Sequence, residues 1–328
     1  MSDDNSIVEA TYWWGIPTLF RCPHETDPGA VDIALVGVPH SSGNGTTERD
    51  QHLGPRAVRN YSTEYRRFHA VYGTSPWDQC RVGDMGDTPL PHALNNERAL
   101  KDIENFYAKL DAANARPVSI GGDHSIPLPI LRSIAGPNSN IASEPVALIH
   151  FDAHFDTAGG EDHFMGCTEW SGSFARIICE EGLVDPSNVF QIGIRGHGFA
   201  EDDSEFSRSV GYNVIDRAEV ARRGIPDVLK QIRETIDDKP TYITFDLDVL
   251  DPTEAPGVAN VEPGFAGLRM QDALDFFHGM RGMNIIGGDI ACLMPTKDSP
   301  NGITTTNATV VMFEMISLIA DYLDRGKG

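Results

Sequence analysis

Short apolar runs alternate along the chain with longer segments in which apolar residues recur at helical spacing. The runs are VDIALVGVP (31–39), RPVSIGG (116–122), PVALIHFDAH (145–154), NVFQIGIRG (188–196), TYITFDLD (241–248) and NIIGGDI (284–290). They are brief, rich in Val and Ile, and apolar at successive positions, as strands covered on both faces should be. Between them the pattern predicts helices over 96–113, 225–236 and 268–282, and an apolar helix, NATVVMFEMISLIADYLDR, closes the chain. This alternation predicts one parallel α/β sheet with helices on both faces, with a barrel as the competing architecture. Residues 1–30 read as an N-terminal arm carrying Tyr12, Trp13, Trp14 and Phe20, expected to lie across the main body or a neighbouring subunit. Residues 31–328 read as a single catalytic domain, with no linker or internal repeat to divide it.

The polar clusters begin where the apolar runs stop: GGDHS (121–125), DAHFD (152–156), DLD (246–248) and GDI (288–290). In parallel α/β sheets ligands bind at the carboxyl ends of the strands, so these separate stretches are expected to meet on one rim. On an extended backbone, side chains at i, i+2 and i+4 share a face. Asp152, His154 and Asp156 would then crowd together, as would Asp246 and Asp248, with His124 from a third strand end.

Composition narrows the chemistry. The 328 residues carry a net charge of −22, which argues against a nucleic-acid partner and suits a cationic ligand. Five scattered cysteines without a CxxC pair exclude a zinc knuckle and a disulfide framework, and point to a reducing cytoplasm. The acidic start MSDDNSIVEATYWWG is not a signal peptide, and no apolar stretch reads as long enough to span a bilayer, so no membrane partner is expected.

A single Asp at a strand end is more often a turn former or helix cap than a ligand, and a single His is usually an ordinary hydrogen-bonded one. Four carboxylates packed together with no run of Lys or Arg beside them are different. Their mutual repulsion in a low-dielectric site costs several kcal/mol unless cations balance it. Two divalent ions would do so, with His124, Asp152, His154, Asp156, Asp246 and Asp248 as ligands. Six residues cannot fill two separate coordination spheres, so bridging carboxylates and ions roughly 3.5–4 Å apart are expected. Oxygen-dominated ligation with imidazole and no thiolate favours Mn²⁺, with Fe, Co or Ni²⁺ as alternatives. Such a centre supplies hydroxide for hydrolysis without an organic cofactor, and the chain has neither a GxGxxG βα turn nor a GxxxxGK[ST] loop.

GGDHS (121–125), DAHFDT (152–157) and FDLDVLDP (245–252), in this order and spacing, resemble the ureohydrolase family of arginase and agmatinase, closer to its agmatinase-like members. GVPHSSGNGTTERDQHLGPRAVR (37–59) and IGIRG (192–196) extend the likeness over nearly the whole chain from about residue 31. The resemblance implies a three-layer α/β/α fold and a homo-oligomer, trimeric or hexameric. It implies two Mn²⁺ ions, one held by His124, Asp152, Asp156 and Asp246, the other by Asp152, His154, Asp246 and Asp248. Metal-bound hydroxide then attacks the guanidinium carbon of a small cationic substrate, typically releasing urea. A histidine on the loop after DAHFD acts as proton shuttle in this family; His163 is the match, although Phe164 follows it where the family has Gly, and His197 is the reserve.

Two departures concern the substrate. Cys292 stands where agmatinase-like members place the Glu that pairs with the guanidinium, and the family's GTGTP turn reads GVANVEP (257–263). Glu262 could supply the missing charge. Alternatively, the substrate is free guanidine, a biguanide or another amidine rather than arginine. A third reading is a metal-binding, non-catalytic subunit of a hetero-oligomer, which the intact ligand set disfavours. Cys292 as a nucleophile is the weakest reading, since a small buried Cys usually just packs.

Overall fold

The computed structural model describes residues 14–46, 48–159, 166–196, 204–262 and 266–326. In chain order the first half contains β1 (Ile33–Gly37), α1 (Gly54–Ser62), α2 (Pro76–Gln79), β2 (Val82–Asp87), α3 (Asn96–Ala112), β3 (Arg116–Ile120), α4 (Pro127–Ile134), β4 (Val146–Phe151) and α5 (Phe174–Glu180). The second half continues with β5 (Val184–Ile192), α6 (Glu205–Val210), β6 (Asn213–Ile215), α7 (Arg217–Arg223), α8 (Ile225–Ile236), β7 (Thr241–Asp246), α9 (Met270–Gly279), β8 (Ile285–Ala291) and α10 (Ile303–Arg325).

Alternate residues of each central strand enter different apolar layers. Ile149 and Phe151 of β4 pack with Phe276 and Phe277 of α9 and with Ile316 of α10 in one core. Val146 and Leu148 of the same strand pack with Tyr107 of α3, Leu131 of α4 and Phe174 of α5 in the other. Two-sided burial explains the continuous apolar runs, and it makes the fold a three-layer α/β/α sandwich rather than a barrel. Among the described residues the sheet has eight strands in the order β2-β1-β3-β8-β7-β4-β5-β6. Every adjacent pair is parallel. The chain runs out through β1 and β2, returns to β3, and jumps to β4. The polar ends of β3, β8, β7 and β4 therefore lie side by side.

Two edge strands were not legible in the runs. β2 reads VGDMGD, and its acids pair with Arg59 of α1, through Asp84 at 2.9 Å and through Asp87. β6 has only three residues. The GPRAVR likeness thus marks a helix that clamps an edge strand. The closing helix also revises an expectation. α10 is long and apolar enough to cross a membrane, yet 83% of its most apolar window is buried inside the protein.

Tyr12 and Trp13 of the arm lie outside the described residues. Leu19 and Phe20 are buried in the same core as β1, and the Phe20 ring meets Tyr65, Trp77 and Phe313 with centroids 5.6, 5.8 and 6.2 Å away. This segment is pinned to the body. Phe20→Ala is expected to cost about 3–5 kcal/mol, the usual penalty for an emptied aromatic site. Urea denaturation measures it, and a loss well under 1 kcal/mol would contradict this packing.

Candidate metal centre

The six acidic and imidazole residues converge, although not by the extended backbone their spacing suggested. β4 ends at Phe151, and Asp156 has a left-handed φ of 50° that turns its carboxylate back toward Asp152. β7 ends at Asp246 and a 3₁₀ turn, Leu247–Val249, follows. Asp246 accepts the Asp248 N–H at 2.9 Å, so a capped turn rather than strand alternation brings these two acids together. Arg195 of the IGIRG segment holds that turn by donating to the carbonyls of Asp248, Val249 and Leu250 at 2.5, 3.0 and 3.0 Å. Asp251 completes a separate turn, accepting from Thr253 and Gly267.

The residues form two sets that share Asp152. His124 Nδ1 lies 2.9 Å from Asp152 Oδ2, 3.0 Å from Asp156 Oδ2 and 3.3 Å from Asp246 Oδ2. His154 Nδ1 lies 3.3 Å from Asp152 Oδ1 and 3.2 Å from Asp248 Oδ2. The centre is buried, with the His154 side chain, 25% exposed, as its most open point.

Hydrogen bonds on the far side of each ring decide what these nitrogens present. The Thr244 hydroxyl donates its one proton to Asp289 Oδ1 at 2.9 Å, so it accepts from His124 Nε2 at 2.8 Å. Glu262 Oε1 accepts from His154 Nε2 at 3.0 Å. In their neutral form both rings therefore turn an Nδ1 lone pair toward carboxylate oxygens, and His124 Nδ1 is buried without a hydrogen-bond partner. Lone pairs facing anions need a cation between them, which is the arrangement of imidazole ligands anchored by acceptors behind them.

The titration directions carry the same message. For His124, burial opposes charge, but the carboxylates of Asp152, Asp156 and Asp246 gathered around Nδ1 outweigh it and, without metal, push the ring well above its ordinary range. Asp156 is pushed up to about 6 by burial and then by the charge of Asp152. Asp248 is pushed well above the carboxylate range by burial and then by Asp246. Without metal, protons take up the role of cations here. The donor set, four carboxylates and two imidazoles with no thiolate, fits hard or borderline divalent ions.

Two glycines make room. A Cβ on Gly196 would meet Glu262 Oε2 at 2.1 Å, and Gly196 has a φ of 88°. A Cβ on Gly122 would meet the His40 carbonyl at 2.1 Å, where the loop after β3 passes that after β1.

The other predicted site residues divide. His163, Phe164 and His197 lie outside the described residues. Cys292 sits at the end of β8 with a left-handed φ of 66°, its N–H donating to the Gly122 carbonyl at 2.8 Å. Burial, then the charges of Asp246 and Asp248, raise its thiol well above the usual range, which does not suit a nucleophile. Glu262 is engaged with His154, which counts against it as a spare charge for substrate. Sequence reasoning passed over His150, whose Nε2 is 2.8 Å from Asp152 Oδ2. Its place two residues before Asp152 was the available signal. A further cluster, His69, His278 and Glu314, lies apart from these strand ends. There the Tyr72 N–H donates to His69 Nδ1, leaving Nε2–H to bond Glu314 at 3.0 Å, a satisfied structural pair.

An open parallel sheet whose central strand ends gather carboxylates and imidazoles around a shared Asp152 offers a site for divalent metal ions. The profile of the Arginase family matches residues 31–317. The chain is 38% identical over 326 residues to guanidinopropionase of Pseudomonas aeruginosa, covering 98% of both chains. It is 34% identical over 305 residues to mitochondrial agmatinase of Gallus gallus, covering 93% of this chain and 86% of that one. Proclavaminate amidino hydrolase from Streptomyces clavuligerus superposes with a TM-score of 0.86 at 29% identity, over 94% of this chain and 99% of that one. The chain belongs to the arginase family. It is a hydrolase of non-peptide C–N bonds in amidine compounds, and that family's site is a binuclear divalent metal centre.

If Asp152 and Asp246 bridge, Asp152→Asn or Asp246→Asn abolishes turnover and lowers bound metal, measured by plasma mass spectrometry on the same samples. Full activity with two ions retained in either variant would sink the shared-carboxylate arrangement.

Proposed function

We propose that the chain hydrolyses a guanidino compound other than arginine or agmatine, using two divalent ions held by six residues. His124, Asp152, Asp156 and Asp246 would hold one ion, and Asp152, His154, Asp246 and Asp248 the other. The observation that carries this reading is the placement of His124 Nδ1 and His154 Nδ1 within 2.9 and 3.3 Å of the two oxygens of Asp152. When bound, the ions supply Lewis acidity and bring the ionisation of water near neutral pH. Mn²⁺ suits the oxygen-dominated set best, with Ni²⁺ the alternative.

The protein's own residues divide the remaining work. Thr244 and Glu262 hold the two imidazoles in the tautomer that faces the centre. His163, which follows Asp156 in the sequence, completes the proposal as proton carrier toward solvent.

Substrate choice rests on Cys292. It lies close enough to Asp246 for a thiol hydrogen bond, so position 292 brings a thiol rather than a carboxylate toward the centre. Glu262, the other candidate, already bonds His154. A guanidino acid is a zwitterion without net charge, so a pocket lacking that negative charge disfavours it less than a long cationic alkylguanidine; free guanidine or a biguanide is the alternative. The names of two relatives, guanidinopropionase and guanidinobutyrase, are in keeping with a guanidino acid, while others are agmatinases.

The test is turnover by protein loaded separately with Mn²⁺ and Ni²⁺. The panel holds guanidinopropionate, guanidinobutyrate, guanidine, a biguanide, agmatine and arginine, with urea and amine both quantified. A preferred substrate outside agmatine and arginine is expected, with Cys292→Glu raising agmatine turnover and His163→Ala lowering turnover at unchanged metal content. Wild-type preference for agmatine, or no effect of Cys292→Glu, would count against the remodelled pocket.

A further inference from the structure

His150 is grouped with His124, Asp152 and Asp156 closely enough to serve as a metal ligand. The hydrogen bonds behind it assign it a different part. The Ser207 hydroxyl on α6 donates to Gln191 Oε1 at 2.7 Å. Gln191 Nε2 donates to the Phe155 carbonyl at 2.7 Å and lies 3.3 Å from His150 Nδ1. His150 Nε2 lies 2.8 Å from Asp152 Oδ2. His150, Asp152, Gln191 and Ser207 all have 0% exposure, so water does not compete along this line.

The line reads in only one direction. A backbone carbonyl can only accept, so the amide end facing Phe155 is the NH₂ group, which leaves the oxygen facing Ser207 to accept its hydroxyl proton. That NH₂ nitrogen also faces His150 Nδ1, which must then accept. The ring proton is left on Nε2, where it donates to Asp152. A ring held this way has no lone pair at Nε2 to give a metal.

Asp152 has the most demanding task in the centre, because one oxygen faces each imidazole. Oδ2 is 2.9 Å from His124 Nδ1 and Oδ1 is 3.3 Å from His154 Nδ1. A carboxylate free to rotate would serve neither side well. Oδ1 is anchored by the His154 backbone N–H at 2.7 Å, and Oδ2 by His150. One donor per oxygen fixes the plane of the group.

We propose that Ser207, Gln191 and His150 form a buried tautomer lock that positions Asp152 to bridge two metal ions. Its residues are positioning residues rather than ligands or catalytic groups. The inference rests on the two-metal reading above and concerns how the centre is built, whatever the substrate.

The experiment titrates metal-free full-length protein with Mn²⁺, and separately with Ni²⁺, by equilibrium dialysis, with thermal melting of the metal-free chains as the folding control. Gln191→Glu keeps the shape but puts an acceptor where the lock needs a donor. Loss of such an outer partner typically weakens metal binding about 10–100-fold, and a drop of that order is expected for a variant that still folds. Ser207→Ala should weaken uptake in the same direction and Ser207→Thr should restore it, which keeps the test open if Gln191→Glu fails to fold. Nitrogen-15 NMR of labelled histidine rings adds a readout independent of metal and turnover. The signal lost in His150→Gln should show a protonated Nε2 and a bare Nδ1. Unchanged metal affinity in folded Gln191→Glu, equal affinity across the Ser207 series, or a proton on Nδ1 would overturn the lock. Wild-type protein that takes up neither ion would refute the metal centre itself, an outcome distinct from a lock that makes no difference.

Discussion

Four aspartates packed around two imidazoles in a buried cluster set the constraint that the rest of this molecule answers. In a low-dielectric pocket such a group cannot keep all its charges without compensation. The titration directions follow from this: burial and the neighbouring Asp152 push Asp156 up to about 6, and burial with Asp246 pushes Asp248 well above the carboxylate range. Burial alone is not the cause. Each acid also sits beside another, and Arg195 turns Nη1 and Nη2 to the backbone carbonyls of Asp248, Val249 and Leu250 rather than to the carboxylates. Positive charge has to come from outside the chain, as protons or as metal.

The fold concentrates this tension at one place and braces it. The parallel sheet lays the ends of β3, β8, β7 and β4 next to one another, so residues far apart in sequence meet without long loops. Behind the acids stands a shell of neutral and acidic acceptors: Thr244 and Asp289 behind His124, Glu262 behind His154. The acceptors dictate which nitrogen of each ring is bare. Asp289 is itself buried and pushed up to about 6, mainly by desolvation, so the shell carries part of the cost of the centre. The preorganisation that metal chemistry requires is thus distributed through the sheet, well beyond the residues that would touch an ion.

Much of this was legible in the sequence because the signals were local. Unbroken Val- and Ile-rich runs identified the central strands, and DAHFD and DLD displayed their acids within a few residues. What escaped notice depended on partners distant in the chain. His150 matters through Gln191 and Ser207, 41 and 57 positions later, and no short motif displays that line. Glu262 looked like a spare charge until the fold set it against His154. The edge strands β2 and β6 were hidden because Gly and Asp interrupt one and the other is too short to show a period. The backbone path was misjudged at Asp156 for a related reason: a left-handed residue in a turn leaves no apolar periodicity to read.

The most direct test is anomalous diffraction from crystals of the Mn²⁺-loaded protein at the manganese edge. Two peaks per chain, roughly 3.5–4 Å apart with Asp152 between them, are predicted. A single peak, or peaks located instead at His69, His278 and Glu314, would contradict the claim that paired cations resolve the repulsion among these aspartates.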